Sequence, residues 1–268
     1  MTKHFKWLTF TPYLIWMVLF IIVPLLLLIY YSFIDINGNF SLANYKQVFS
    51  PNYLTMFKDS LLYAFMITVC CLVVSFPLAY FLVQSKHQQL LLLLIIMPTW
   101  MNLLLKTYAF IGIFSHDGII NRFLQWMHVP ALEILFHAPS FIIVASYIYL
   151  PFMLLPIYNH MNQIPDVYLK AANDLGANKW VTFTKIIMPL TKEGVRAGVQ
   201  VTFIPALSLF MITRLITGNK VITIGTAIEE QFLVIQNYGM GATIAIVLIV
   251  LMFIILNITK SSKESKEV

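Results

Sequence analysis

Side chains able to do chemistry are few in this 268-residue sequence, and they are scattered. The six histidines (His4, His87, His116, His128, His137 and His160) fall at the edges of apolar runs or in connecting segments, without the spacing of a metal site. Cys70 and Cys71 are adjacent within an apolar run. Neighbouring residues do not readily reach relaxed disulfide geometry, and no metal-ligand spacing surrounds them, so they read as small packing residues. No G-x-x-x-x-G-K-[ST] phosphate loop occurs, and no set of convergent catalytic side chains is visible. The chain therefore reads as a non-enzyme without a cofactor of its own; if ATP drives it, another polypeptide hydrolyses that ATP. Two bases, Lys106 and Arg214, stand inside apolar runs. A charge at the centre of a membrane helix costs about 2.5–3.5 kcal/mol on insertion scales. Three readings are open for them: anchoring by snorkelling, pairing with an acid, or lining a path.

The elements that hold these residues are greasy. Sixty per cent of the chain is hydrophobic and only 10% is charged, too little to cover a water-facing surface. Apolar runs at 11–33, 60–83, 88–114, 138–160, 195–217 and 239–259 each exceed the roughly 20 residues a helix needs to cross a bilayer. Backbone groups in lipid must be satisfied within the segment, and period-2 alternation is absent, so six helices are expected rather than a barrel. The basic start Met1-Thr-Lys-His-Phe-Lys precedes an apolar run too long for a signal peptide, and no small-x-small cleavage site follows it. It is expected to stay as the first helix. Pro77, Pro98, Pro151, Pro156 and Pro205 fall within the runs and mark possible kinks, but carry no hinge by themselves.

The net charge is +6, and the placement of the charges says more than their sum. With six crossings, both termini share a side with residues 84–87 and 161–194. That side holds Lys3, Lys6, Lys86, Lys170, Lys179, Lys185, Lys192, Arg196, Lys260, Lys263 and Lys266. The opposite side holds Lys46, Lys58, Arg122 and Lys220. Eleven bases against four predict cytoplasmic termini and a cytoplasmic 161–194 loop. Outside acids (Asp35, Asp59, Asp117, Glu133, Glu229 and Glu230) outnumber outside bases six to four. That excess favours a cationic solute, and it also fits ordinary solvated loops.

One polar stretch interrupts the oily runs: Lys170–Pro189, KAANDLGANKWVTFTKIIMP. Just upstream, Pro165-Asp166 is a helix-start signal. Tyr168, Ala171, Ala172 and Leu175 recur at i, i+3, i+4 and i+7, which predicts one apolar stripe on a short helix. Gly176 is placed to end it and Asn178 to cap a second helix with the face Trp180, Phe183, Ile186 and Ile187. Such a helix–turn–helix must bury its stripes against lipid, against the bundle above it, or in a groove of a soluble partner.

Here the chain resembles the permease subunits of ABC importers. They carry E-A-A-x-x-x-G, nine residues, then I-x-L-P in a cytoplasmic loop; this chain has Ala171-Ala172, Gly176, nine residues, then Ile186-Ile187-Met188-Pro189. Lys170 stands where the family has Glu, so a contact needing that carboxylate is not expected here. The resemblance implies an all-α membrane protein with six transmembrane helices, the type I ABC importer permease fold, and both termini cytoplasmic. It divides the chain into an N-terminal helix and first outer loop (1–58), a permease core (59–260) with coupling loop 161–194, and a polar tail (261–268). It assigns ATPase coupling to Tyr168, Lys170, Ala171, Ala172, Leu175, Gly176, Ala177, Phe183, Ile186 and Pro189. The implied partners are a homologous second permease, two copies of a cytoplasmic ATPase carrying ATP and magnesium, an extracytoplasmic solute-binding protein and the lipid bilayer, and no nucleic acid.

A second set of residues resembles the spermidine/putrescine type within that family. Pro98, Trp100, Asn102, Lys106 and Tyr108 precede Gly118-Ile-Ile-Asn121; Pro205-Ala206, Leu209-Phe210, Ile224-Gly225 and Gln231-Phe232-Leu233 follow the coupling loop. The likeness runs over most of 10–260 and implies import of polyamines by alternating access in a prokaryotic cell membrane. Importers of other small solutes share part of the pattern. A positive lining repels a polyamine, so carboxylates and aromatic faces are expected to offset it. Trp100, Asn102, Tyr108, Phe210, Glu229 and Glu230 are the candidates for the substrate path. A secondary transporter fits less well, since no internal repeat and no mid-span acid is evident.

Overall fold

The computed structural model describes the backbone of residues 3–259 and the side chains of 10–259. The polar tail at 261–268, and the side chains of Lys3, Lys6, Lys260, Lys263 and Lys266 used in the charge count, lie outside the described residues. Among those described, the regular structure is helical, apart from one isolated bridge between Ile34 and Phe40. Five helices are long and apolar enough to cross a membrane: Phe10–Ser32, Pro51–Gln84, Leu103–Trp126, Ala138–Asn162 and Tyr238–Thr259. The bent pair Lys192–Leu207 and Met211–Thr217 makes a sixth if counted as one span.

Two apolar runs that read as single helices are broken. In 88–114 the chain runs as Gln88–Ile96, tightens to a 3-10 turn at Met97–Trp100, extends at Met101, and restarts as Leu103–Phe114. Pro98 removes a backbone donor, and the Asn102 side-chain oxygen accepts from the Leu104 N–H at 2.8 Å, capping a new N-terminus. Lys106, which stands inside the apolar run 88–114, thus lies in the opening turns of a fresh helix. In 195–217 the helix ends at Leu207 beyond Pro205, and resumes at Met211 with a 65° bend.

Two π-helical turns have a common cause. Val18–Ile22 immediately precedes Val23-Pro24, and Phe183–Ile187 precedes Met188-Pro189. A proline ring clashes with the carbonyl four residues back. Widening the turn by one residue, with Val23 N–H to Val18 C=O and Met188 N–H to Phe183 C=O, lets each helix continue through its proline.

Residues up to Phe57 with Ala227–Ile254 form one compact unit, and Lys58–Thr226 with the residues from Ile255 a second. In the first, Asn44 Nδ2 donates to the Ile34 carbonyl (2.8 Å) and Thr243 Oγ1 to that of Ser32 (3.0 Å), fastening the first outer loop to the last helix. The second unit is built on Ala138–Asn162. Along Pro51–Gln84 the buried residues Ser60, Ala64, Ile67, Cys71, Ser75 and Ala79 make one stripe. Cys71 Sγ and Ser75 Oγ donate to the Ser146 and Leu150 carbonyls (3.3 and 3.4 Å), while Cys70 is exposed.

On the other flank, Gly194, Gly198, Thr202 and Ala206 are buried at four-residue intervals on Lys192–Leu207. A Cβ at Gly194 would stand 2.7 Å from the Pro156 carbonyl, and one at Gly198 would stand 2.8 Å from Met153 Sδ. Small residues at this spacing let two membrane helices approach backbone to backbone, where dispersion takes over from the hydrophobic effect. This stripe is plain in the sequence and forms no part of the reading made there.

Candidate functional site

Residues 163–191 hang between the Ala138–Asn162 helix and the Lys192–Leu207 helix, which that close packing fixes. The segment starts where Pro165, extended at ψ 137°, caps a helix over Asp166–Asp174. It ends in a two-bond C-cap: Gly176 N–H reaches the Asn173 carbonyl (2.9 Å) and Ala177 N–H that of Ala172 (2.9 Å). That closure needs a left-handed residue, and Gly176 takes it at φ +75°. One residue later, Asn178 accepts from the Val181 N–H (2.8 Å) and opens Lys179–Thr182. The expected helix–turn–helix is therefore present, with the turn closed by Gly176 on one side and Asn178 on the other.

The stripes divide differently from the sequence expectation. Tyr168, Ala171 and Leu175 face outward, with Leu175 87% exposed. Ala172 turns inward and is buried, with Leu169 beside it half-buried. On the second arm Trp180 is 72% exposed, Phe183 and Ile186 are half-buried and Ile187 is buried. A 100° step per residue separates Ala171 from Ala172 enough to place them on opposite sides of a face edge, so the four apolar positions make two surfaces. Of the remaining candidates Lys170, Gly176 and Pro189 are exposed and Ala177 is half-buried.

The inward surface is anchored by an aromatic cluster. Phe183 meets Tyr80 and Phe76 edge to face, with centroids 5.1 and 5.6 Å apart. Such pairs contribute about 0.5–1.5 kcal/mol beyond area burial. Next to them lies a cleft of about 490 Å³ lined by Tyr80, Gln84, Gln88, Asp166, Asn173 and Lys179, among others. The outward surface is left uncovered by the other described residues. Val167, Tyr168, Leu175 and Trp180 expose 52–87% of their surface on a polar segment.

Trp100 is 72% exposed at the end of the 3-10 turn, Tyr108 is exposed on the next helix, and Phe210 sits in the break before Met211. No ring contact joins these three among the described residues. Asn102 is spoken for as a helix cap. Glu229 ends the helix Ile224–Glu229 and Glu230 begins a π-turn, so both stand on a helix and not in a loop; they belong to the first unit. Lys106 is buried, with 8% exposure, and does not snorkel outward. Asn121 is fully buried and pins the following loop, donating to the Ser115 and Leu132 carbonyls and accepting from the Leu132 N–H.

Residues 59–261 match the family model described as "Binding-protein-dependent transport system inner membrane component". The chain belongs to that family. This permease is 38% identical over 251 residues to the spermidine/putrescine transport system permease protein PotB of Escherichia coli K12, covering 90% of the chain and 91% of that protein. It is 33% identical to PotB of Haemophilus influenzae, covering 90% and 88%. Its fold matches a chain of a bacterial alginate ABC transporter, solved with an alginate pentasaccharide-bound periplasmic protein. There the TM-score is 0.79 at 16% identity, over 96% of this chain and 93% of that one. The permease is an all-helical, multi-pass inner-membrane component of the ABC transport type. The residues that bore the resemblance, from Ala171-Ala172 to Pro189, are those that fold into the capped double helix.

Proposed function

We propose that the permease imports polyamines of the spermidine/putrescine type by alternating access, driven by ATP that a separate subunit hydrolyses. The observation that carries this reading is the outward face Tyr168, Ala171 and Leu175, held at a set angle by the Gly176 and Asn178 caps. A helix that presents apolar side chains from a rigid turn suits a groove in a partner. We place this face on one of two copies of a cytoplasmic ATPase, with ATP and magnesium bound there and not in this chain. The eleven-to-four bias of bases orients the 161–194 segment and both termini toward the cytoplasm. A homologous second permease completes the membrane pore, and an extracytoplasmic solute-binding protein delivers the cargo.

ATP binding closes the ATPases and carries the double helix with them. Phe183 passes that movement to Tyr80 and Phe76 on the Pro51–Gln84 helix. The Gly194–Ala206 stripe passes it to Ala138–Asn162. The cycle works only because the ATP-bound partner favours one of two permease arrangements over the other. Polyamine as cargo is supported by the likeness to PotB and by the excess of acids on the outer side. The test is uptake of radiolabelled spermidine and putrescine into vesicles carrying the assembled importer. ATP-dependent uptake of either supports the reading. Uptake of neither, with both ATPase and binding protein in place, rejects polyamine as the solute.

A further inference from the structure

Lys106 has no ion-pair partner among the described residues. It shares the inward face of Leu103–Phe114 with Thr107, Phe110 and Phe114, while Leu104, Leu105 and Tyr108 face out. One turn on, Phe110 meets Tyr147 of Ala138–Asn162 edge to face at 5.0 Å, so this face is the one that packs into the bundle. Thr107 donates to its own helix, at the Leu103 carbonyl. The Lys106 ammonium makes no ion pair or hydrogen bond with any described residue. Nor is there an acid on Ile119–Trp126, Ala138–Asn162 or Met211–Thr217, which pack against this helix. Ala138–Asn162 has no charged residue, and the one charge on Met211–Thr217, which also packs there, is the base Arg214. The ammonium tip is not sealed either, because the enclosed, unpartnered side-chain atoms among the described residues are Ser146 Oγ and Thr202 Oγ1.

A lysine 8% exposed on an apolar helix persists when an anion meets it, when water reaches it or when it gives up its proton, and the last two leave it unlinked in the test below. A cationic cargo cannot supply the anion. A lipid phosphate lies at the headgroup level and would approach from the outward face, which carries Leu104, Leu105 and Tyr108 instead. We infer that Lys106 is met by a carboxylate from a membrane helix of the second permease subunit. The inference rests on the two-permease reading above. It makes the pair of permeases asymmetric in charge, with the base on this chain and the acid on its companion. The buried pair then fixes which companion fits, since a companion without the acid leaves the ammonium unpaired.

The test uses the assembled importer in membranes treated with dicyclohexylcarbodiimide. A carboxylate activated by this reagent forms an amide with an amine already in contact, so mass spectrometry reads the partner of Lys106 directly. The expected product joins the Lys106 peptide to an Asp- or Glu-containing peptide of the companion. In parallel, Lys106→Gln should lower uptake at least tenfold and Lys106→Arg should keep most of it. Replacing the cross-linked companion acid by its amide should return much of the Lys106→Gln activity. A Lys106 joined to its own chain overturns the inference, as does an amine left unlinked or a Lys106→Gln importer with full uptake. If no ATPase or second permease co-purifies with the tagged chain, the transport reading itself fails. If both co-purify and Lys106 is unlinked, only the inference does.

Discussion

Phe183 lies edge-on to Tyr80, their ring centroids 5.1 Å apart and their planes at 76°. One ring belongs to the polar segment outside the apolar runs and the other to the 34-residue helix Pro51–Gln84. At about 1.5 Å per residue that helix is about 51 Å long, more than the hydrocarbon core of a bilayer. Its far end therefore extends beyond the core to where the segment lies, and the aromatic contact is the joint between them.

Phe183→Ala removes that joint. Truncating a large aromatic in a core costs about 3–5 kcal/mol, and less at a half-buried site such as this. The expected result is a large loss of uptake with ATP hydrolysis retained, because the outward face stays in place. Uptake and ATPase assays on the same vesicles check it. Phe183→Leu, which keeps apolar bulk, should fall between.

Gly176 isolates a backbone effect. A Cβ added there meets no atom within 4 Å, so the cost of a side chain is the left-handed φ of +75°. That conformation costs an ordinary residue about 1–2 kcal/mol, least for Asn and most for β-branched residues. Uptake should rank Gly176, then Asn, then Ala, with Gly176→Val abolishing transport while the protein stays in the membrane. Equal uptake by the Val and Asn variants would contradict this account of the turn.

Gly198→Leu tests the helix pair. The new side chain would start 2.8 Å from Met153 Sδ and 2.9 Å from the Met153 carbonyl. Overpacking of this kind costs about 1–3 kcal/mol or more, and here it also forces two helices apart. The expected outcome is a clearly lower melting temperature in detergent and a reduced membrane level. Gly198→Ala should show a smaller drop.

How much of this was legible in the sequence depended on whether the signal was local. The caps at Gly176 and Asn178 are set by single residues with specific backbone roles, and both stand where the sequence places them. Pro98 and Pro205 mark possible kinks at Pro98–Asn102 and Ser208–Phe210, but a full break stays hidden because leucines and isoleucines continue on both sides, and hydropathy is blind to a change of direction. The two faces of Asp166–Asp174 read as one in the sequence, since Ala171 and Ala172 differ by a single step that only the neighbouring helix resolves. Gly194, Gly198, Thr202 and Ala206 carried a readable four-residue period. Burial of Lys106 had no sequence signal, because an isolated lysine toward the end of an apolar run reads equally well as an anchor.

The central claim is that the outward face of Asp166–Asp174 is held by a separate ATPase. A cysteine at Leu175, 87% exposed, offers the direct measurement, in a background where Cys70 and Cys71 are replaced by Ser and Ala. A thiol-anchored photoreactive probe on Leu175→Cys, which inserts into protein and lipid alike, should join it to the nucleotide-binding subunit, with a yield that changes on adding ATP. Ala172→Cys, buried on the opposite face, should give little product. A Leu175→Cys chain that reacts with phospholipid and never with an ATPase would contradict the account.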